Sequence, residues 1–127
     1  MANPVSPEIA TGTVGELLVQ LRLLQYGVQA APPLKDSGND LIALKGFAIR
    51  CVQVKTTTNA LPAWPSENKR YHLLAIVKLA GTEKELQLDD SGVYLLKKEE
   101  LQGVPRSWDA LQRFQLNEGR IEELFRE

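Results

Sequence analysis

The sequence predicts a domain of the α+β (α/β) layer class, and three stretches carry that expectation. A helical run, GELLVQLRLLQYG, comes first. A hairpin-like segment, DSGNDLIALKGFAIRCVQVKTT, follows, and YHLLAIVKLA then reads as a buried strand. Helical tendency returns only near the end of the chain. A helix, several strands and then short helices is the order expected when helices cover a sheet.

The 127 residues form one domain by length, able to bury roughly two-thirds of the unfolded surface. Fifteen Lys and Arg against sixteen Asp and Glu give a net charge of −1. Bulk charge therefore cannot drive tight binding to a polyanion, and a local patch would have to do it. A single Cys excludes an internal disulfide framework and a Cys-based zinc cluster. The opening MANPVSPEIA lacks a basic-then-apolar signal pattern, and no apolar run approaches the ~20 residues that span a bilayer. The expectation is a cytoplasmic protein with no membrane partner.

Residues 1–10, with Pro4 and Pro7, are expected to form an N-terminal arm. Residues 11–58 hold the core of the motif, 59–70 a loop, and 71–127 the remaining strands and C-terminal helices. Thr13-Val14-Gly15-Glu16 reads as a capping box, with Thr13 at the cap and Glu16 reaching back. The helix stops at Gly27, a natural C′ residue. Val14, Leu17, Leu18, Leu21 and Leu24 form one expected apolar stripe; Glu16, Gln20 and Leu23 form another side. Val28–Leu34 reads as a short strand or an extended entry, ended by Pro32-Pro33. TNALPAWPSENKR (58–70) has two prolines and no apolar periodicity, which makes it a surface loop long enough to suspect function. ELQL and VYLLK read as strands separated by a DDSG turn, and KKEEL as a short helix. Asn117 is placed to cap a last helix carrying Ile121, Leu124 and Phe125.

The segment from Asp36 to Thr57 contains the anomaly. Gln53 and Lys55 interrupt an apolar strand, and such groups are costly to bury unless paired. With Lys45-Gly46 as a two-residue turn, residue 42 faces 49 and Asp40 faces Cys51. Side chains alternate with period two, so Cys51, Gln53, Lys55 and Asp40 share one face. Any even loop length keeps that parity.

A helical Glu16, then Asp40, then Gln53-Val54-Lys55 is a pattern that resembles the PD-(D/E)XK, or restriction-endonuclease-like, nuclease superfamily, and within it the Holliday-junction-resolvase-like and small restriction-type branches. In that pattern a helical Glu precedes a hairpin; an Asp opens one strand and (D/E/Q)-x-K lies on the next. The resemblance covers residues 12–58, with YHLLAIVKLA as the next core element. Asn39 stands where the nominal proline would be, and Gln53 replaces the acidic residue. The resemblance implies a central mixed sheet of four to five strands flanked by helices, and a metal-dependent DNA endonuclease.

It also implies roles. Asp40, Gln53, Lys55 and Glu16 would be the catalytic set. Mg²⁺ or Mn²⁺ would be held by Asp40, the Gln53 side-chain oxygen, the Val54 carbonyl and Glu16, because a hard cation takes oxygen ligands. The cation would activate a bound water, while Lys55 would orient or help deprotonate that water and stabilise the phosphate oxygens. Arg50, Thr56, Thr57 and Gln20 are candidate DNA contacts that carry no sequence reading. A homodimer is expected, built on the Trp64 loop or on helices bearing Phe114 and Phe125; whether a larger partner joins is left open.

Plainer readings stand beside these. Glu16 also reads as a capping residue only, DSGND as turn chemistry, and Gln53 with Lys55 as an exposed strand face. A catalytically inactive nucleic-acid-binding or interaction module on the same fold is the alternative function. His72 is the only histidine and lies in a strand without a nucleophile elbow, so a hydrolase triad is unsupported. Cys51 is expected as a small buried hydrophobe. No phosphate-cradling glycine motif appears.

Overall fold

A computed structural model describes residues 7–35, 38–82 and 85–127, with side chains from Ala10 onward. Met1–Ser6 of the expected arm, Asp36 and part of the GTEKE turn lie outside the described residues. The elements are helix α1 (Pro7–Gln25), strands β1 (Gln29–Ala31), β2 (Leu41–Lys45), β3 (Ala48–Thr57), β4 (Leu73–Gly81) and β5 (Leu86–Lys97), and helices α2 (Trp108–Leu111) and α3 (Glu118–Leu124). A 3₁₀ turn spans Lys98–Gly103. The sheet runs β1-β2-β3-β4-β5, with β3 and β4 parallel and every other pair antiparallel. This is the α+β fold with a five-stranded mixed sheet expected from the sequence.

The start of α1 departs from expectation. The helix begins at Pro7, a favoured first-turn residue, and runs through Thr13, so Thr13 caps nothing and Glu16 sits mid-helix. Its buried face also differs. Leu18, Val19 and Leu23 are buried, whereas Leu17, Leu21 and Leu24 are more than half exposed. Gly15 selects that face. A Cβ at position 15 would lie 1.8 Å from the Thr56 hydroxyl oxygen, so only glycine allows the helix to come this close to β3.

Two apolar layers sandwich the sheet. On the helix side, Leu18, Val19 and Leu23 pack with Leu41, Val52, Ala75, Val77 and Leu95, and α3 adds Ile121, Leu124 and Phe125. Full burial of such side chains stabilises by about 1.5–3 kcal/mol each. On the far face, Leu74, Ile76, Tyr94 and Leu96 meet Leu101, Leu111 and Phe114, with Trp64 and Trp108 at the margin. β4 faces both layers, which explains its unbroken apolar run. Phe114 and Phe125 are core residues, so they cannot supply the dimer contact expected of them.

The C-terminal segment is fixed by polar bonds. The Asn117 side chain accepts from Arg120 N–H at 2.8 Å, giving the expected cap. Buried Arg120 donates to the Leu95 carbonyl at 3.1 Å, pairs with Glu100 and Glu123, and lies over the Phe114 ring. DDSG is not a separating turn. It lies within β5 beside a register shift, where the Ser91 hydroxyl accepts from Ala80 N–H and donates to the Gln87 carbonyl. No helix among the described residues is long and apolar enough to cross a membrane.

Candidate active site

The site is built where strand pairing stops. β2 pairs with β3 only from Leu41↔Val52 to Lys45↔Ala48. β3 continues for five more residues, 53–57, with β4 on one edge and no β2 partner on the other. The turn is Gly46-Phe47, one residue later than expected; Gly46 has φ +60°, which suits the first central position of a type II′ turn. Moving the turn by one residue moves each partner by two. Asp40 therefore stands opposite Gln53 rather than Cys51, and the shared face survives because two is the side-chain period.

Asp40 closes the open edge. Its N–H donates at 2.9 Å to the carbonyl of Val52, the ladder partner of the neighbouring Leu41. Its Oδ2 accepts from Gln53 Nε2 at 2.9 Å and from Val54 N–H at 2.8 Å. The carboxylate is thus held in one orientation by a side chain and a main-chain donor, and both bonds are charge-assisted. In extended backbone the N–H and C=O of one residue project to the same edge, so the Val54 carbonyl also faces this side. Gln53 is 6% exposed, and its interruption of the apolar strand is explained by the bond to Asp40.

A cleft of about 450 Å³ opens here, lined by Thr11, Gly12, Glu16, Asp40, Gln53, Val54, Lys55, Thr56, Thr57 and Thr58. Glu16 reaches the cleft from α1, and Lys55 shares the face of Gln53. The sequence-predicted residues Glu16, Asp40, Gln53, Val54 and Lys55 are therefore brought together.

The DNA-contact candidates divide. Thr56 lines the cleft but packs under Gly15. The Thr57 hydroxyl donates to the Ala60 carbonyl at 2.8 Å and accepts from Asn59 N–H, which shapes the turn leaving β3. Gln20 does not line the cleft. Arg50 is placed elsewhere: it donates to the Leu124, Arg126 and Ile49 carbonyls, tying the end of α3 to β3. Its even position puts it on the opposite face from Gln53, which removes it from this cleft. Cys51 is half-buried rather than buried, and its N–H donates to His72 Nδ1 at 2.8 Å, a structural use of the histidine.

Whether these donors fit a hard divalent cation can be judged from chemistry. Among the described residues no group of three His, Cys, Asp or Glu side chains gathers. The cleft instead offers two carboxylates, an amide oxygen and a carbonyl, an all-oxygen set that suits Mg²⁺ or Mn²⁺ and gives no preference to Zn²⁺.

No family model matches the sequence, and no curated protein does. Among solved structures, the bacterial homing endonuclease I-Ssp6803I is similar, with a TM-score of 0.57 at 16% identity, over 94% of this chain and 91% of that one. Likeness at this identity speaks to the fold, which the two chains share.

Proposed function

We propose that the chain is a metal-dependent DNA endonuclease of the Q-x-K kind, hydrolysing phosphodiester bonds in a restriction-type or junction-resolving reaction. One observation carries the reading. The open end of β3 fixes Asp40 through Gln53 and Val54, and sets Lys55 and Glu16 around the same cleft. The fold shared with a homing endonuclease supports DNA as the substrate.

Asp40, Glu16, the Gln53 amide oxygen and the Val54 carbonyl would hold Mg²⁺ or Mn²⁺, which when bound acidifies a water and offsets phosphate charge. The chain's own groups do the positioning. Val54 N–H stops the Asp40 carboxylate from rotating. Lys55 presents an ammonium to the non-bridging oxygens, where negative charge builds as water oxygen bonds to phosphorus and the leaving oxygen departs. The Thr57 turn sets the floor of the cleft beside it.

Purified protein incubated with Mg²⁺ or Mn²⁺ and with branched, linear and single-stranded DNA tests this. Cleavage of at least one substrate, lost in Lys55→Ala, is the expected result. No cleavage of any substrate, or equal cleavage by Lys55→Ala, refutes it.

A second reading has its own observation. Gln53 satisfies Asp40 without a cation, as suits a catalytically inactive DNA-binding module. DNA binding with no Mn²⁺ uptake at Asp40 would establish that reading. Cutting two strands takes two sites, so we take a homodimer as part of the nuclease proposal; light scattering coupled to size exclusion measures it.

A further inference from the structure

Lys78 has no part in the site described above, and its setting is unusual. It lies on β4 opposite Thr57 of β3, in a strand whose preceding five residues are all buried. Its side chain is exposed, and its ammonium sits 4.7 Å from the centroid of the Trp108 ring. Tyr94 packs against that ring, with the centroids 5.9 Å apart. Among the described residues Lys78 has no ion-pair partner.

Parity places Lys78 on the face of Gln53 and Lys55. Gln53↔Leu74, Lys55↔Ile76 and Thr57↔Lys78 are successive partners in the parallel pair. Lys55 and Lys78 are therefore diagonal neighbours, about 8 Å apart at their backbones from the strand spacing and the rise of two residues. Two nucleotide steps advance a duplex strand by about 6.8 Å along its axis. A second cleft of about 550 Å³ lies at this end of the sheet, and Thr58 lines both it and the first. The two clefts adjoin at Thr58, which lies between Asp40 in the first and Lys78 in the second. Asp89 and Asp90 line the second cleft together with Lys78 and Arg22, and their carboxylates repel a phosphate.

We infer that Lys78, held by Trp108, is a phosphate-contacting residue that positions the DNA strand one to two nucleotides from the phosphate that Lys55 contacts. The inference rests on the DNA-cleaving reading and adds where the strand leaves the site. A cation already held over an aromatic face loses little side-chain freedom on contact, so its charge is delivered without an ordering cost. It is a binding residue, and its contact carries no base reading.

Fluorescence anisotropy with a labelled duplex, without divalent cation and over a range of salt concentrations, tests it. Lys78→Ala should weaken binding about tenfold at low salt, to the same extent for unrelated sequences. The slope of log affinity against log salt should fall by about one, the signature of a lost phosphate contact. Lys78→Arg should restore both, and Lys45→Ala, at the other end of the hairpin, should change neither. In Trp64→Phe protein, Trp108 emission should change on adding DNA to Lys78-containing protein and not in Lys78→Ala. Asp89→Asn with Asp90→Asn should tighten binding. Wild type that binds DNA with Lys78→Ala unchanged in affinity and slope overturns the inference alone. Wild type that binds no DNA overturns the inference, and the nuclease reading falls with it only if the protein also cuts no substrate with Mg²⁺ or Mn²⁺. A double Asp variant with unchanged affinity places the strand outside the second cleft and also overturns it.

Discussion

The two halves of β3 share one strand and differ in what stands on their outer edge. Residues 48–52 are paired with β2, and their work is structural: Val52 is fully buried and Ala48 nearly so. Residues 53–57 extend past β2, and their free edge meets the Asp40 carboxylate. The contrast teaches that a strand becomes chemically useful where its partner ends. Main-chain donors consumed by a ladder in the covered half are available in the open half to fix Asp40.

Adjacent residues at the boundary should fail in different ways. Leu41→Ala, on the covered side, should lower stability by about 2–5 kcal/mol in urea denaturation, since the side chain is fully buried. Asp40→Asn, one residue away, should keep the melting temperature within a few degrees yet reduce cleavage on the order of 10²–10³-fold. If Asp40→Asn unfolds the protein, or cuts as wild type does, the division between the halves is wrong. Gly15→Ala probes the helix above the open half. The added methyl meets the Thr56 hydroxyl, so a loss of about 1–3 kcal/mol is expected. Thr56→Ala removes the hydroxyl and methyl but leaves the Cβ 2.7 Å from the added carbon, so it should recover only part of that loss in the double variant, and strict additivity in a double-mutant cycle would show that the two residues do not meet. The smallest effect is expected from Gln53→Glu. Two carboxylates then oppose each other, so metal-free protein should lose stability while Mn²⁺ binding by calorimetry tightens about tenfold, or about 1.4 kcal/mol. Weaker Mn²⁺ binding in Gln53→Glu would argue that position 53 does not face the cation.

Much of this was legible in the sequence, for identifiable reasons. Period two made the shared face of Asp40, Gln53 and Lys55 readable even though the turn lies one residue from its expected place. β4 was readable because burial on both faces leaves an unbroken apolar run. The helix was harder. Leu17, Leu21 and Leu24 look like a core stripe by spacing, yet the contact is decided by the smallest residue, Gly15, and by its distant partner Thr56. A glycine inside a helical run was the available signal. Arg50 beside Cys51 looked like a phosphate contact, but its partners are carbonyls 74 and 76 residues further along the chain. No local pattern records such pairings. Lys78 was hidden for the same reason, since its meaning depends on Thr57 and Trp108.

The type II′ turn at Gly46-Phe47 has a consequence for anyone who alters this hairpin. Its length acts as an odd–even switch. Adding or removing two residues slides the strands and preserves which side every group faces. Adding one forces a choice. Either an extra residue is looped out locally, or all of β2 is inverted and Asp40 is carried to the underside, against α1. A single-residue insertion there is therefore a sharper disruption of the site than many substitutions within it, although it touches nothing in the cleft.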